Sequence, residues 1–139
     1  MKKEKIITAL IGFLLGAAVL YGTNIYLQDS GNGFDSITTG STDPGDAEIT
    51  LYPERIEGGE VVFTLSIDTH SVSLVDHDLG EQTTLRAGGE NFEPEEYPDL
   101  YGHHVNGEVV FSTDKDLGSE GFEVVITDIP EPEERVFSW

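Results

Sequence analysis

Four histidines and the carboxylates beside them are the side chains of this sequence best suited to binding a metal ion. His70 follows Asp68 in D-T-H-S, His103 and His104 are adjacent in G-H-H, and His77 lies between two aspartates. Imidazole and carboxylate together suit Zn²⁺ or Cu²⁺. Successive strand residues point to opposite faces, so His103 and His104 would not easily bind one ion together. The candidate metal site is therefore Asp68 and His70 with His103 or His104.

The alternative is that the histidines have structural roles. His104 is then a hydrogen-bonded core residue, and His70, His77 and His103 lie on the surface or in turns. A blue-copper centre is excluded in either case, because it needs a cysteine thiolate and the chain has no cysteine.

A repeated acidic pattern, D-x-D-L-G, is a weaker candidate for calcium. It supplies Asp76 and Asp78 in one copy and Asp114 and Asp116 in the other. Alternate carboxylates in a tight turn are a common way to hold Ca²⁺. Both copies lack the third acid and the glycine of a complete EF-hand loop, and such pairs also arise by chance in an acidic chain.

The signatures of common enzymes are missing from the sequence. It has no G-x-S-x-G motif, no cysteine nucleophile and no phosphate-binding glycine loop. Carboxylates are abundant, but nothing selects two of them as a catalytic pair. We therefore expect a protein that is not an enzyme and that has no cofactor beyond a bound metal ion.

Two segments should position the histidines. Val61, Phe63, Leu65 and Ile67 share one strand face, whereas Val72 and Leu74 have the opposite parity, so D-T-H-S should contain a turn or bulge. Asn-Gly at 106–107 between apolar residues is typical of a two-residue hairpin. That hairpin would pair His104 with Val109 and place His104 on the core face, with His103 pointing the other way.

The period-two pattern of the last 92 residues predicts an all-β domain over 48–139. We expect an antiparallel β-sandwich, Ig-like in the broad sense, with an open barrel as the alternative. A long loop over 88–100 would be ordered by Phe92, Tyr97 and Tyr101. The predicted strands are 48–52, 60–67, 71–75, 82–86, 101–105, 108–113, 121–127 and 134–139.

The N-terminal 27 residues are predicted to be a membrane anchor. Ile6 to Leu27 is an uncharged run of 22 residues, about 33 Å as a helix, preceded by three lysines. The positive-inside rule places the N-terminus in the cytoplasm and the rest outside, as a single-pass protein of the cell membrane. A cleaved signal peptide is the alternative. Residues 28–47, rich in Gly, Ser, Thr and Asp, should be a flexible linker.

The part of the chain after the anchor is strongly acidic. It holds 26 of the 27 acidic residues but only four of the seven basic ones, a net charge of about −22. Self-repulsion of this size is screened at high salt, so the composition favours a protein adapted to brine. A cation-buffering surface is the functional alternative. Nucleic acid is excluded as a partner, because four scattered basic residues cannot neutralise a phosphate backbone.

Three segments resemble a family of uncharacterised exported archaeal and bacterial domains. They are F-T-L-S-I-D-T-H-S-V at 63–72, G-H-H at 102–104 with Gly107 following, and E-R-V-F-S-W at 134–139. The resemblance implies a β-sandwich attached to a signal or anchor segment, and it implies no activity. His77 and the acidic 90–99 loop are not part of the pattern, which favours His70 with His103 or His104 as ligands.

These observations lead to one expectation about function and two alternatives. We expect a membrane-anchored, extracytoplasmic, non-catalytic interaction module with an envelope protein as its partner. The first alternative is a histidine-based zinc or copper domain. The second is a secreted filament or surface-layer subunit, which would favour cleavage after the apolar run. The sequence does not indicate an oligomeric state.

Overall fold

The computed structural model describes residues 33–130 and 133–139, which belong to one compact unit, Asn32–Trp139. The predicted membrane anchor, 1–27, lies outside the described residues. Among the residues that are described, no helix is long and apolar enough to cross a membrane.

The described residues form two four-stranded antiparallel sheets. The first sheet has the order β1-β2-β3-β6 and the second the order β5-β4-β7-β8. The strands are β1 Ile37–Thr39, β2 Ala47–Glu57, β3 Glu60–Thr69, β4 Thr83–Ala87, β5 Glu90–Phe92, β6 His104–Ser112, β7 Phe122–Thr127 and β8 Glu134–Ser138. Three one-turn helices complete the fold: a 3₁₀ turn at Leu74–Asp76, α1 at Leu79–Gln82 and α2 at Leu117–Glu120.

The hydrophobic core lies between the two sheets. Alternate strand residues point inward, and Phe63 and Phe111 of the first sheet and Phe137 of the second are fully buried. Each such side chain contributes about 1.5–3 kcal/mol on burial. Two separate sheets sharing one core confirm the all-β antiparallel class and favour the sandwich over the open barrel.

Aromatic rings pack together at the C-terminal end of β8. The Trp139 ring lies 5.3 Å from that of Phe122 and 5.5 Å from that of Phe63. Its indole N–H donates to the carbonyl oxygen of Asp35 at 2.7 Å. This bond ties the segment before β1 to the end of the second sheet.

A buried arginine, Arg135, lies at the other end of β8. Arg135 is 5% exposed and points inward. Its guanidinium donates to the Ile129 carbonyl at 2.9 Å, to Thr39 Oγ1 at 3.2 Å and to Asp46 Oδ1 at 2.8 Å, and it pairs with Glu133 at 2.8 Å. Arg135 therefore connects the two sheets.

The predicted hairpin at 106–107 is wrong. β6 runs unbroken through both residues, with Asn106 opposite Ser66 and Gly107 opposite Leu65. Neither residue has the positive φ that a type I′ turn needs. A Cβ atom at Gly107 would lie 2.8 Å from Pro98 Cγ, so glycine is needed here for close packing.

Two other expectations about the elements also need correction. Residues 71–75, predicted as a strand, contain the start of the 3₁₀ turn, because the turn after Thr69 ends the strand. The range assigned to a flexible linker contains the edge strand Ile37–Thr39. Asp46 is also fixed, since its carboxylate accepts from the Ser41 N–H at 2.8 Å.

The segment 88–100, predicted as a loop, contains the edge strand β5, and the rest of it is ordered, although not mainly by its rings. Tyr97 and Tyr101 are 41% and 68% exposed, and only Phe92 packs against the core. Main-chain hydrogen bonds join Glu95 and Glu96 to Val110 of β6. The loop therefore continues the first sheet beyond β6.

Candidate functional site

The structure brings Asp68 and His104 together on one rung of the first sheet. Asp68 of β3 faces His104 of β6 directly, and their side chains point to the solvent face. His104 Nδ1 lies 2.5 Å from Asp68 Oδ1, and Ser66 Oγ donates to Asp68 Oδ2 at 3.1 Å. Because the carboxylate accepts, Nδ1 carries the proton, and in the neutral imidazole Nε2 has the lone pair. The His104 side chain is 65% exposed.

The Asp68 carboxylate is stabilised in its ionised form. The hydrogen bond with His104 lowers the pKa of Asp68, which outweighs the opposing effect of partial burial, and Ser66 adds to the lowering. The charge of His70 also lowers the pKa of Asp68, so His70 interacts electrostatically with this carboxylate.

The turn after β3 holds His70 beside this pair. Thr69 is buried, and its hydroxyl donates to the Asp46 carbonyl at 2.8 Å and accepts from the N–H groups of Ser71 and Val72. Its own N–H donates to the His103 carbonyl at 2.9 Å. The predicted break in D-T-H-S is confirmed, and it places His70 and His103 on neighbouring chain segments.

The predicted metal ligands are therefore gathered at one end of the sheet without forming a complete cage. His70, His103 and His104 are all exposed, so the expected core position of His104 is wrong. It followed from the hairpin that does not form. Within the described residues, no group of three or more His, Asp or Glu side chains converges on a common point. His77 lies elsewhere, with its Nδ1 3.2 Å from Gln82 Nε2.

The two D-x-D-L-G segments have a local structural role. Asp78 Oδ1 accepts from the Gly80 N–H at 2.7 Å and caps α1, and Asp116 Oδ1 accepts from the Gly118 N–H at 3.2 Å and caps α2. The leucine of each pattern is buried. The other two calcium candidates, Asp76 and Asp114, are exposed. Capping explains the repeat without an ion.

The Asp68–His104 pair is not arranged as a catalytic triad. A triad needs the hydroxyl nucleophile hydrogen-bonded to the imidazole. Here Ser66 donates to Asp68 instead. Two grooves of the described surface, about 330 and 530 Å³, are lined by neither Asp68 nor any histidine.

The sequence analysis missed the neighbours of this pair on the same face. Three alternate rungs across β2, β3 and β6 carry polar side chains that point away from the core. We call these nine residues the polar face. The inward parity of 61–67 implies that Thr64 and Ser66 point outward, but His104 was predicted on the core face, and only the pairing of distant strands shows that the nine residues are adjacent. The rungs are Glu48–Asp68–His104, Thr50–Ser66–Asn106 and Tyr52–Thr64–Glu108.

Comparisons with known proteins leave the chain without an assigned family. No family model, no curated protein and no solved structure matches it. The resemblance drawn from the three sequence segments stays a prediction.

Proposed function

We propose that the protein is a non-catalytic binding module held outside the cell membrane by residues 6–27, with an envelope protein as its partner, and that it works at high salt. The observation that supports the binding role best is the polar face. It offers hydroxyl, amide and carboxylate groups on a regular sheet, and a Thr38–Thr50 hydroxyl contact of 2.8 Å extends it towards β1.

Site-specific cross-linking tests the binding role. A photo-reactive residue at Thr64, in the centre of the polar face, should give a discrete adduct in intact cells. The same residue at Thr84, on the outer side of the second sheet, is the matched control. An adduct at 64 that Asn106→Arg abolishes supports binding at this face, whereas equal adducts from both positions, or none, argue against it.

Thiol labelling tests the location, because the natural chain has no cysteine. In intact cells a membrane-impermeant maleimide should label Val75→Cys, since Val75 is 70% exposed. It should label Lys3→Cys only after lysis. The mass of the labelled chain also shows whether the N-terminal segment is retained. Protection of position 75 in intact cells would contradict an extracytoplasmic domain.

A second candidate function, binding of Zn²⁺ or Cu²⁺, is favoured by the geometry of His104. In metal sites a carboxylate often holds Nδ1–H of a histidine and leaves Nε2 for the ion. Asp68 holds His104 in this way. His70, whose charge also lowers the pKa of Asp68, is the second ligand of this proposal.

Calorimetric titration of the full chain with ZnCl₂ and CuCl₂ tests this site. The double variant His70→Ala, His104→Ala should lose the binding heat, while His77→Ala keeps it. Asp68→Asn should weaken binding about 10–100-fold, the usual cost of losing an orienting carboxylate. Heats that are the same in the double variant and the natural chain would eliminate the site.

A further inference from the structure

The four edges of the two sheets are not equally protected. Beyond β6, Glu95 and Glu96 hydrogen-bond to Val110 and cover part of that edge. β1 and β5 are edge strands of only three residues each. Such short edge strands have few free main-chain N–H and C=O groups with which another strand could pair. β8, at the end of the second sheet, has five residues, Glu134–Ser138. Among the described residues, β8 has no main-chain partner on its outer side.

The hydrogen-bond pattern shows which groups of β8 point outward. Phe122 and Trp139 exchange both main-chain bonds, at 3.1 and 3.0 Å. In an antiparallel pair, such residues alternate with residues whose N–H and C=O point away from the partner strand. Trp139 bonds to Phe122, so by this alternation the N–H and C=O groups of residues 137 and 135 also hydrogen-bond to β7. The N–H and C=O groups of Glu134, Val136 and Ser138 therefore point to the free edge.

The side chains of these three residues lie on the outer face of the second sheet. Val136 is 42% exposed, one of four large hydrophobic residues exposed in the described part of the chain. It is paired with Val125 of β7, which is 2% exposed although it is also on the outer face. The centre of this edge is thus apolar on a protein whose surface is mostly acidic.

We propose that β8 is a homodimer interface, in which the β8 strands of two copies pair antiparallel about a two-fold axis through Val136. This inference does not depend on the proposed function, because β8 and the polar face belong to different sheets. Pairing would give roughly six inter-strand hydrogen bonds, two for each of three facing residue pairs. It would extend the two second sheets into one continuous eight-stranded sheet.

The sequence of β8 suits a second copy of itself. In the register centred on Val136, Val136 faces its own equivalent and Glu134 faces Ser138, so no like charges are directly opposite. Arg135 points into the core and is already paired with Asp46 and Glu133. The remaining obstacle is the net negative charge of each copy, which is screened at high salt. Dimerisation should therefore strengthen as salt rises.

Single cysteines in the natural cysteine-free chain test both contact and register. Facing residues that exchange hydrogen bonds have Cα atoms about 5.5 Å apart, within the range for a disulfide. In 2 M KCl, full-length Val136→Cys should form disulfide-linked dimers at least tenfold faster than Val75→Cys, an exposed valine away from β8. A mixture of Glu134→Cys and Ser138→Cys chains should cross-link to each other faster than either does to itself.

Sedimentation equilibrium of the full chain completes the test. Val136→Pro removes the central outward N–H without touching the β7 ladder, and Val136→Lys adds a charge at the edge. Both should raise the dimer dissociation constant at least tenfold, while Val75→Lys should not. The proposal is overturned if the natural chain is monomeric at millimolar concentration in 2 M KCl. It is also overturned if a dimer persists unchanged in a folded Val136→Pro or Val136→Lys variant.

Discussion

At the scale of single residues, Arg135 is the polar side chain on which the fold depends most. Its buried guanidinium donates hydrogen bonds to three separate parts of the chain: the β7–β8 turn, β1 and the residue before β2. Arginine suits this position because its planar head offers five donors. A buried ion pair adds little net stability compared with apolar packing, but removing one partner is costly.

We expect Arg135→Met to lower the free energy of unfolding by about 2–4 kcal/mol, because it removes the cation paired with Asp46 and the side-chain donor to the Ile129 carbonyl. Urea denaturation measures this loss. Arg55→Met is the matched control, since Arg55 is exposed and paired only at the surface with Glu60, and it should cost far less. Equal losses in the two variants would mean that Arg135 does not hold the sheets together.

The same cluster predicts a dependence of stability on pH. Burial opposes ionisation of Asp46, but hydrogen bonds from the Ala47 N–H, Arg135 and Ser41 outweigh it and lower the pKa of Asp46. A carboxyl with a lower pKa when folded stabilises the fold above its unfolded pKa of 3.8 and loses this effect as pH falls through the folded pKa. Asp46→Asn should therefore destabilise the protein at pH 6, and less at pH 3, below the unfolded pKa of 3.8. A difference between the two proteins that is the same at both pH values would contradict this.

Residue types alone identified the pair that matters in the candidate site, but not its surroundings. Asp68 and His104 were both among the predicted metal ligands, since imidazole and carboxylate are the appropriate chemistry. Their direct pairing depends on the register of β3 with β6, across strands 36 residues apart. Neither this register nor the role of Arg135 leaves a local signal in the sequence.

At the scale of elements, β6 shows how a local signal can be overridden. Asn-Gly between apolar residues normally favours a hairpin. In β6, the residues on both sides of Asn-Gly continue a single alternating pattern that fills the core. Pro98 of the 88–100 loop then occupies the space that a side chain at 107 would need. Tertiary packing, not turn formation, explains this glycine.

Gly107→Ala should therefore destabilise the protein by about 1–3 kcal/mol, the usual cost of overpacking a core. A hairpin turn with positive φ would also resist alanine, so a second substitution is needed to separate the explanations. If Pro98 is the cause, Pro98→Ala should recover most of the loss in the double variant, as measured by a thermodynamic cycle of unfolding free energies. Additive losses would argue against this contact.

At the scale of the whole molecule, composition and strand alternation predicted the β-sandwich. They did not predict the short edge strands that complete its two sheets. Seven of the eight predicted strands overlap with strands of the structure, two of them with β6, because inward residues of one parity give a clear signal. The edge strands β1 and β5 are too short to produce that signal. β1 forms where Trp139 and Arg135 hold its segment beside β2, and β5 forms by pairing with β4.

Net charge is the property of the whole molecule with the clearest measurable consequence. Of the four basic residues after the anchor, Arg55, Lys115 and Arg135 are each already paired with a carboxylate. Most acidic residues therefore repel one another without compensation. The screening length is about 10 Å in 0.1 M salt and about 3 Å in 1 M salt. Neighbouring surface charges thus interact in dilute buffer and hardly at all in brine.

We therefore expect the thermal midpoint to rise by several degrees between 0.05 and 2 M KCl. Salt also strengthens apolar burial slightly, so a variant with fewer charges is the control. The triple variant Glu81→Gln, Glu93→Gln, Asp99→Asn changes three exposed acids. It should be more stable than the natural chain in 0.05 M KCl, equally stable in 2 M KCl, and less dependent on salt. A midpoint that does not change with salt, or triple and natural proteins with the same salt dependence, would show that self-repulsion does not limit the stability of this domain.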